Sequence, residues 1–137
     1  MREKQAAVQQ LATNPIHLGR GASALVEPAF SGALDWYTAY EQRHASDGAE
    51  GRLVSLATFN GPWAFWEMHP CGAEVVLCLS GQFTLHQEDP DGARRTVSIG
   101  PGEYAINERG VWHTADVGMQ ATALFITAGA GTEHRPR

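Results

Sequence analysis

Residues 66–81, WEMHPCGAEVVLCLSG, place a carboxylate, an imidazole and a second carboxylate (Glu67, His69 and Glu74) within eight residues. Ionised carboxylate and neutral imidazole are the commonest oxygen and nitrogen ligands of metal ions. Side chains alternate faces along a strand, so Glu67 and His69, two apart, point the same way if Trp63 to His69 is extended. Pro70 and Gly72 end that strand, and a turn there returns Glu74 towards the pair. Glu74 to Leu79 then reads as a second strand, stopped at Ser80-Gly81. The unit is strand, turn, strand, with three ligand-type groups gathered at the turn.

Outward from this unit, the chain continues in short strands divided by turn residues. Downstream are Gln82 to Glu88, the hairpin loop Asp89-Pro90-Asp91-Gly92, Arg94 to Ile99, a turn at Gly100-Pro101-Gly102, Tyr104 to Ile106, Val111 to Val117 and Ala121 to Thr127. Upstream, Asn60-Gly61-Pro62 is a turn and Arg52 to Phe59 a strand. Scattered apolar residues from Ile16 to Pro28 suggest short edge strands. Leu34 to His44 fits two periods. Ala33, Trp36, Tyr37, Tyr40 and His44 recur at helical spacing, while Trp36, Thr38 and Tyr40 alternate. The aromatic and β-branched content favours a strand. Residues 1–14 read as a short polar helix or arm stopped at Asn14-Pro15, and residues 128–137 as a polar tail. The pattern predicts an all-β sandwich or barrel, with an arm and edge strands over 1–50, a barrel core over 51–130 and a tail over 131–137, one domain overall.

Composition agrees. The 137 residues include fifteen glycines and seven prolines, which favours a turn-rich β-fold over a helical bundle. A net charge of −5 without a basic run argues against a nucleic-acid partner. No apolar run approaches the ~20 residues of a membrane helix, and the first residues lack an apolar leader core. The expectation is a cytoplasmic protein without membrane or nucleic-acid partners. Cys71 and Cys78 lie roughly 20 Å apart if the chain between them is extended, beyond the reach of a disulfide. Cys78 reads as a small buried apolar residue.

His113, in GVWHTADV, shares a strand face with Val111, Ala115 and Val117, and so points into a core. Two carboxylates and two histidines buried together without a cation would set like charges against each other in a low dielectric. The four groups Glu67, His69, Glu74 and His113 therefore point to a metal site. Among the aromatic residues of the same region, Phe65, Phe83 and Trp112 are the candidate cavity wall. His86 reads as a surface residue near the hairpin tip or a support to the site. The tail, with His134 and Arg135, could fold back over the mouth.

These residues resemble the two motifs of the cupin superfamily, written G-x5-H-x-H-x3-4-E-x6-G and G-x5-P-x-G-x2-H-x3-N. Gly61, His69, Glu74 and Gly81 fit the first, and Gly102, Gly110 and His113 fit the second. Glu67 stands where the first histidine belongs, Glu108 replaces the proline, and Val117 the asparagine. The resemblance implies a double-stranded β-helix, or jelly-roll barrel, with its ligand cavity inside. It implies one divalent transition metal ion (iron, manganese, nickel or zinc) held by Glu67, His69, Glu74 and His113. Glu67 either ligates the ion or hydrogen-bonds a metal-bound water; an empty site is the remaining alternative. A metal-dependent enzyme of dioxygenase, isomerase or lyase type, acting on a small oxygen-rich molecule, is the first functional expectation. A non-catalytic binding or sensor barrel is the second, and a purely structural metal the third. Apolar residues on both faces of Glu74 to Leu79 suggest that one sheet is covered by a second subunit, giving a homodimer.

Overall fold

The computed structural model describes residues 7–137. Eleven strands alternate with short turns: β1 (Ile16–Gly19), β2 (Ser23–Val26), β3 (Arg52–Phe59), β4 (Phe65–Met68), β5 (Glu74–Ser80), β6 (Phe83–Glu88), β7 (Arg94–Ile99), β8 (Tyr104–Asn107), β9 (Trp112–Asp116), β10 (Ala121–Thr127) and β11 (Glu133–Pro136). They form two antiparallel sheets. One has the order β2-β1-β3-β10-β5-β8, the other β11-β4-β9-β6-β7. The turn residues act as expected. Gly110 has φ 78° in the turn before β9, a conformation that costs glycine nothing. Gly81 has φ 74°, and a Cβ there would lie 2.4 Å from the Gln120 carbonyl, so only glycine lets β5 pass the start of β10 so closely.

Period-two alternation decides which side chains go inside. Along β5, Glu74, Val76 and Cys78 are buried while Val75, Leu77 and Leu79 face outward. Val76, Phe83, Leu85, Ala115, Ala123 and Phe125 join in one core between the sheets. Both cysteines are free, and Cys78 is fully buried.

One expectation is corrected. Residues 34–43 form a helix, α1 (Leu34–Arg43), not a strand. The helical spacing prevails because it lets Trp36 and Tyr40 bury together against Leu53, with their rings stacked at 5.6 Å. Asp35 in the first turn and Arg43 in the last suit the helix dipole. At the N-terminus, residues 7–10 are an arm and 11–13 a turn, without a helix; residues 1–6 of that expectation lie outside the described residues. The tail also gains order, since β11 pairs with β4 at the sheet edge. Among the described residues no helix is long and apolar enough to cross a membrane.

Register puts the polar groups in two facing rows. Residues directly opposite in an antiparallel pair point to the same face. In the first sheet, His17, Leu53, Thr127, Glu74 and Asn107 are successive partners across β1, β3, β10, β5 and β8. In the second, His134, Glu67, His113, Gln87 and Arg95 are partners across β11, β4, β9, β6 and β7.

Candidate metal centre

Glu67 lies in β4, His69 directly after it, Glu74 opens β5 and His113 lies in β9. The fold brings all four together. His113 Nε2 is 3.2 Å from Glu74 Oε1, and His69 Nε2 is 3.2 Å from Glu74 Oε2. Glu67 Oε2 is 3.8 Å from His113 Nε2 and 4.0 Å from His69 Nε2. One ligand atom each from Glu67, His69 and His113 falls within 4.8 Å of the others. His69, Glu74 and His113 are buried, whereas Glu67 is partly exposed.

Partners of the other ring nitrogens fix both tautomers. His113 Nδ1 is 3.2 Å from the Val111 carbonyl, which only accepts, so Nδ1 carries the proton. His69 Nδ1 is 2.8 Å from Thr132 Oγ1, whose own proton is donated to the Gly129 carbonyl at 2.7 Å. Thr132 therefore accepts, and His69 Nδ1 carries its proton too. In the neutral rings both Nε2 atoms hold lone pairs, and both are buried without a hydrogen-bond partner. Two imidazole lone pairs facing two carboxylates are repulsive until a proton or a cation enters between them. Without a metal the proton is the only recourse. Burial opposes a charge on His113, but the Glu67 and Glu74 carboxylates outweigh it and push the imidazole up to about 9. Burial likewise resists ionisation of Glu74, yet His113 and His69 hold its carboxyl well below the usual range. The donor set of two neutral imidazoles and two carboxylates, with two orphaned nitrogens, fits a divalent cation.

No family model matches the sequence, and no curated protein matches it. Solved structures do. A conserved protein with a double-stranded β-helix domain from Klebsiella pneumoniae superposes with a TM-score of 0.52 at 19% identity, over 63% of this chain and 76% of that one. Procruciferin, an 11S globulin from Brassica napus, superposes at 0.51 with 11% identity, over 63% and 22%. Hydroquinone 1,2-dioxygenase from Sphingomonas sp. TTNP3, with 4-hydroxybenzoate bound, gives 0.49 at 20% identity, over 56% of this chain and 59% of the length of that one. The chain has the double-stranded β-helix fold.

Within this barrel the aromatic residues take separate places. Phe83 is fully buried in the apolar core, with its ring 5.9 Å from Phe59. Trp112 points to the opposite face of β9 from His113, where the Arg135 guanidinium covers it at 4.6 Å. Phe65 is 51% exposed at the start of β4, its ring 6.4 Å from His134. The aromatic ring beside His113 is Trp63, at 6.3 Å. His86 lies on the outer face, bonded to Thr96 and Asp116.

Two features escape the sequence reading, and a third, His134, stands there only as part of a tail that could fold over the mouth. His134, carried by β11, reaches Glu67 Oε1 at 3.2 Å. Tyr37 of α1 has its hydroxyl pushed up to about 12, first by burial and then by the charges of Glu67 and Glu74. Asn107 and Thr127 donate to Glu74, and Gln87 donates to Asn107 behind it; the alternation of Gln87 with Phe83 and Leu85 on an apolar face is the one signal that could have exposed this.

A second histidine group, His17, His44 and Asp47, also has ligand atoms within 4.8 Å of one another. Its chemistry differs. Asp47 accepts from His17 Nε2 at 2.6 Å, so Nδ1 accepts from the Tyr40 hydroxyl at 2.6 Å, and both nitrogens are committed. His44 stacks on His17 at 3.6 Å and donates Nε2–H to Glu27. This network ties α1 to β1, and none of its nitrogens is buried without a hydrogen-bond partner.

Proposed function

We propose that this cupin binds one divalent transition metal ion (iron, manganese, nickel or zinc) through Glu67, His69, Glu74 and His113, and acts on a small oxygen-rich molecule there. The carrying observation is the pair of buried Nε2 lone pairs, on His69 and His113, that converge on Glu74 without a hydrogen-bond partner. Four protein ligands leave up to two positions of an octahedral ion for adjacent oxygen donors of a substrate. A bound ion would supply Lewis acidity that polarises a carbonyl for isomerase- or lyase-type chemistry or, if iron, a route to dioxygenase chemistry. The chain's own residues supply the rest. Trp63 walls the site beside His113, and His134, 3.2 Å from Glu67 Oε1, is a group that can orient a ligand. Two carboxylates neutralise a divalent ion, so the site suits chelation of an anionic or hydroxylated substrate better than strong acidification of water. The cupin is further proposed to work as a homodimer, joined through the outer face of the six-stranded sheet.

Elemental analysis of the untagged protein tests the site. Near-stoichiometric metal that His113→Ala loses is the expected result. Absence of metal from both proteins, even after incubation with each of the four ions, would remove the metal reading and leave a barrel that binds ligands without it.

A further inference from the structure

Glu74 does not choose its own orientation. Arg95, on the edge strand β7 with its side chain 47% exposed, donates Nε–H to Gln87 Oε1 at 2.8 Å. A guanidinium only donates, so this end fixes the Gln87 amide with its oxygen outward and its NH2 inward. That NH2 donates to Asn107 Oδ1 at 2.7 Å and to the Ile106 carbonyl at 3.0 Å. Asn107 is thereby fixed in turn, and its own NH2 donates to Glu74 Oε1 at 3.1 Å. Gln87 and Asn107 are 6% and 1% exposed, so water does not compete for these bonds. The chain begins at a group that only donates and ends at an ionised carboxylate, which only accepts. Every amide in it has one orientation that satisfies both neighbours. On the other side of the carboxylate, Thr127 donates its hydroxyl to Glu74 Oε2 at 2.6 Å.

We infer that Arg95, Gln87 and Asn107 form a directional hydrogen-bond chain from the surface that, with Thr127, positions Glu74 for metal binding. Each Glu74 oxygen accepts one protein donor and turns its remaining lone-pair capacity towards an imidazole Nε2, 3.2 Å away on either side. The carboxylate's plane is set before an ion arrives. Asn107 and Gln87 are positioning residues: they act through Glu74 and touch no ion themselves. The chain also gives a surface residue, Arg95, a hold on the buried centre through two amides. This inference rests on the metal reading of the site.

The test is metal affinity, measured by competition with a chelator for Zn2+, together with the visible absorption spectrum of the Co2+-loaded protein as a report of ligand geometry. Loss of an outer partner of a ligand costs about 10- to 100-fold in affinity. Asn107→Leu is expected to show a fall in that range and an altered Co2+ spectrum, and Thr127→Val to do the same from the other oxygen. Arg95→Ala lies at the surface and keeps the fold, so it remains informative if Asn107→Leu does not fold; it should weaken Zn2+ binding about threefold or more and shift the Co2+ spectrum in the same sense. Wild-type affinity and spectrum in Arg95→Ala would overturn the chain. Unchanged binding in a folded Asn107→Leu would overturn the positioning role while the metal centre stood. A wild-type protein that binds neither ion would instead fail the metal reading itself.

Discussion

Glu67 and Glu74 carry the same charge and face the same two imidazoles, yet they are held differently. Glu74 is buried, with both oxygens fixed by protein donors and each 3.2 Å from an imidazole nitrogen. Glu67 is partly exposed, stands 3.8 and 4.0 Å from those nitrogens, and spends its other oxygen on His134. The fixed carboxylate loses little freedom when an ion binds, whereas the exposed one must give up rotamers and water. Glu74→Gln is therefore expected to lower Zn2+ affinity by more than 100-fold, and Glu67→Gln by about 10-fold, the scale of a supporting group. Equal losses in a chelator competition would place both carboxylates on the ion with the same standing. A Glu67→Gln protein that binds like wild type would assign that residue to the substrate rather than the metal.

At the scale of elements, the strands were legible because β-structure writes itself locally: period-two alternation and Gly/Pro turns lie within a few residues of each other. Arg52 to Phe59 was read with its observed ends, and His113 was placed facing inward by the same alternation. The misreadings came where the deciding partner is remote. Trp36, Thr38 and Tyr40 satisfy a strand pattern, and only the joint burial of Trp36 and Tyr40 against Leu53 selects the helix. β11 is polar and contains Pro136; its pairing with β4, and the Arg135 guanidinium over Trp66 and Trp112, supply what its own sequence lacks. The amide chain to Glu74 spans 20 and 33 residues between its members, which no local window registers. The helix α1 is secured by the Asp47–His17–Tyr40 contacts, and this makes a pH prediction. The His17 hydrogen bond holds the Asp47 carboxyl below its usual range. A depressed carboxylate contributes stability above the unfolded value, near 3.8, and loses it as pH falls through the folded value. Asp47→Asn should therefore melt below wild type at pH 7, with the gap closing below about pH 4. Thermal melts at pH 7 and pH 3 measure this; a gap of the same size at both would attribute the effect to packing rather than charge.

For the whole molecule, the outer face of the six-stranded sheet is the feature a single chain does not explain. Two rows cross it without a charge. Ile106, Val75, Ile126, Val54, Ile16 and Val26 are successive partners in one, and Tyr104, Leu77, Leu124 and Leu56 in the other. Tyr104 is 63% exposed and Val26 58%. Six strands at ~4.8 Å and about six residues at ~3.3 Å give a face of roughly 600 Å² in projection, close to the ~800 Å² per partner of a standard stable interface. Two self-complementary apolar rows suit a two-fold pairing of identical chains, because each row can meet its own copy. The expected mass in light scattering at micromolar concentration is twice the 14.8 kDa of one chain. Leu77→Glu would set like charges near the two-fold axis in a dry contact, and should give a monomer whose Zn2+ affinity matches wild type, since Leu77 points away from Glu74. A wild-type monomer at that concentration would leave the face to a different partner. A Leu77→Glu dimer would move the contact to another surface.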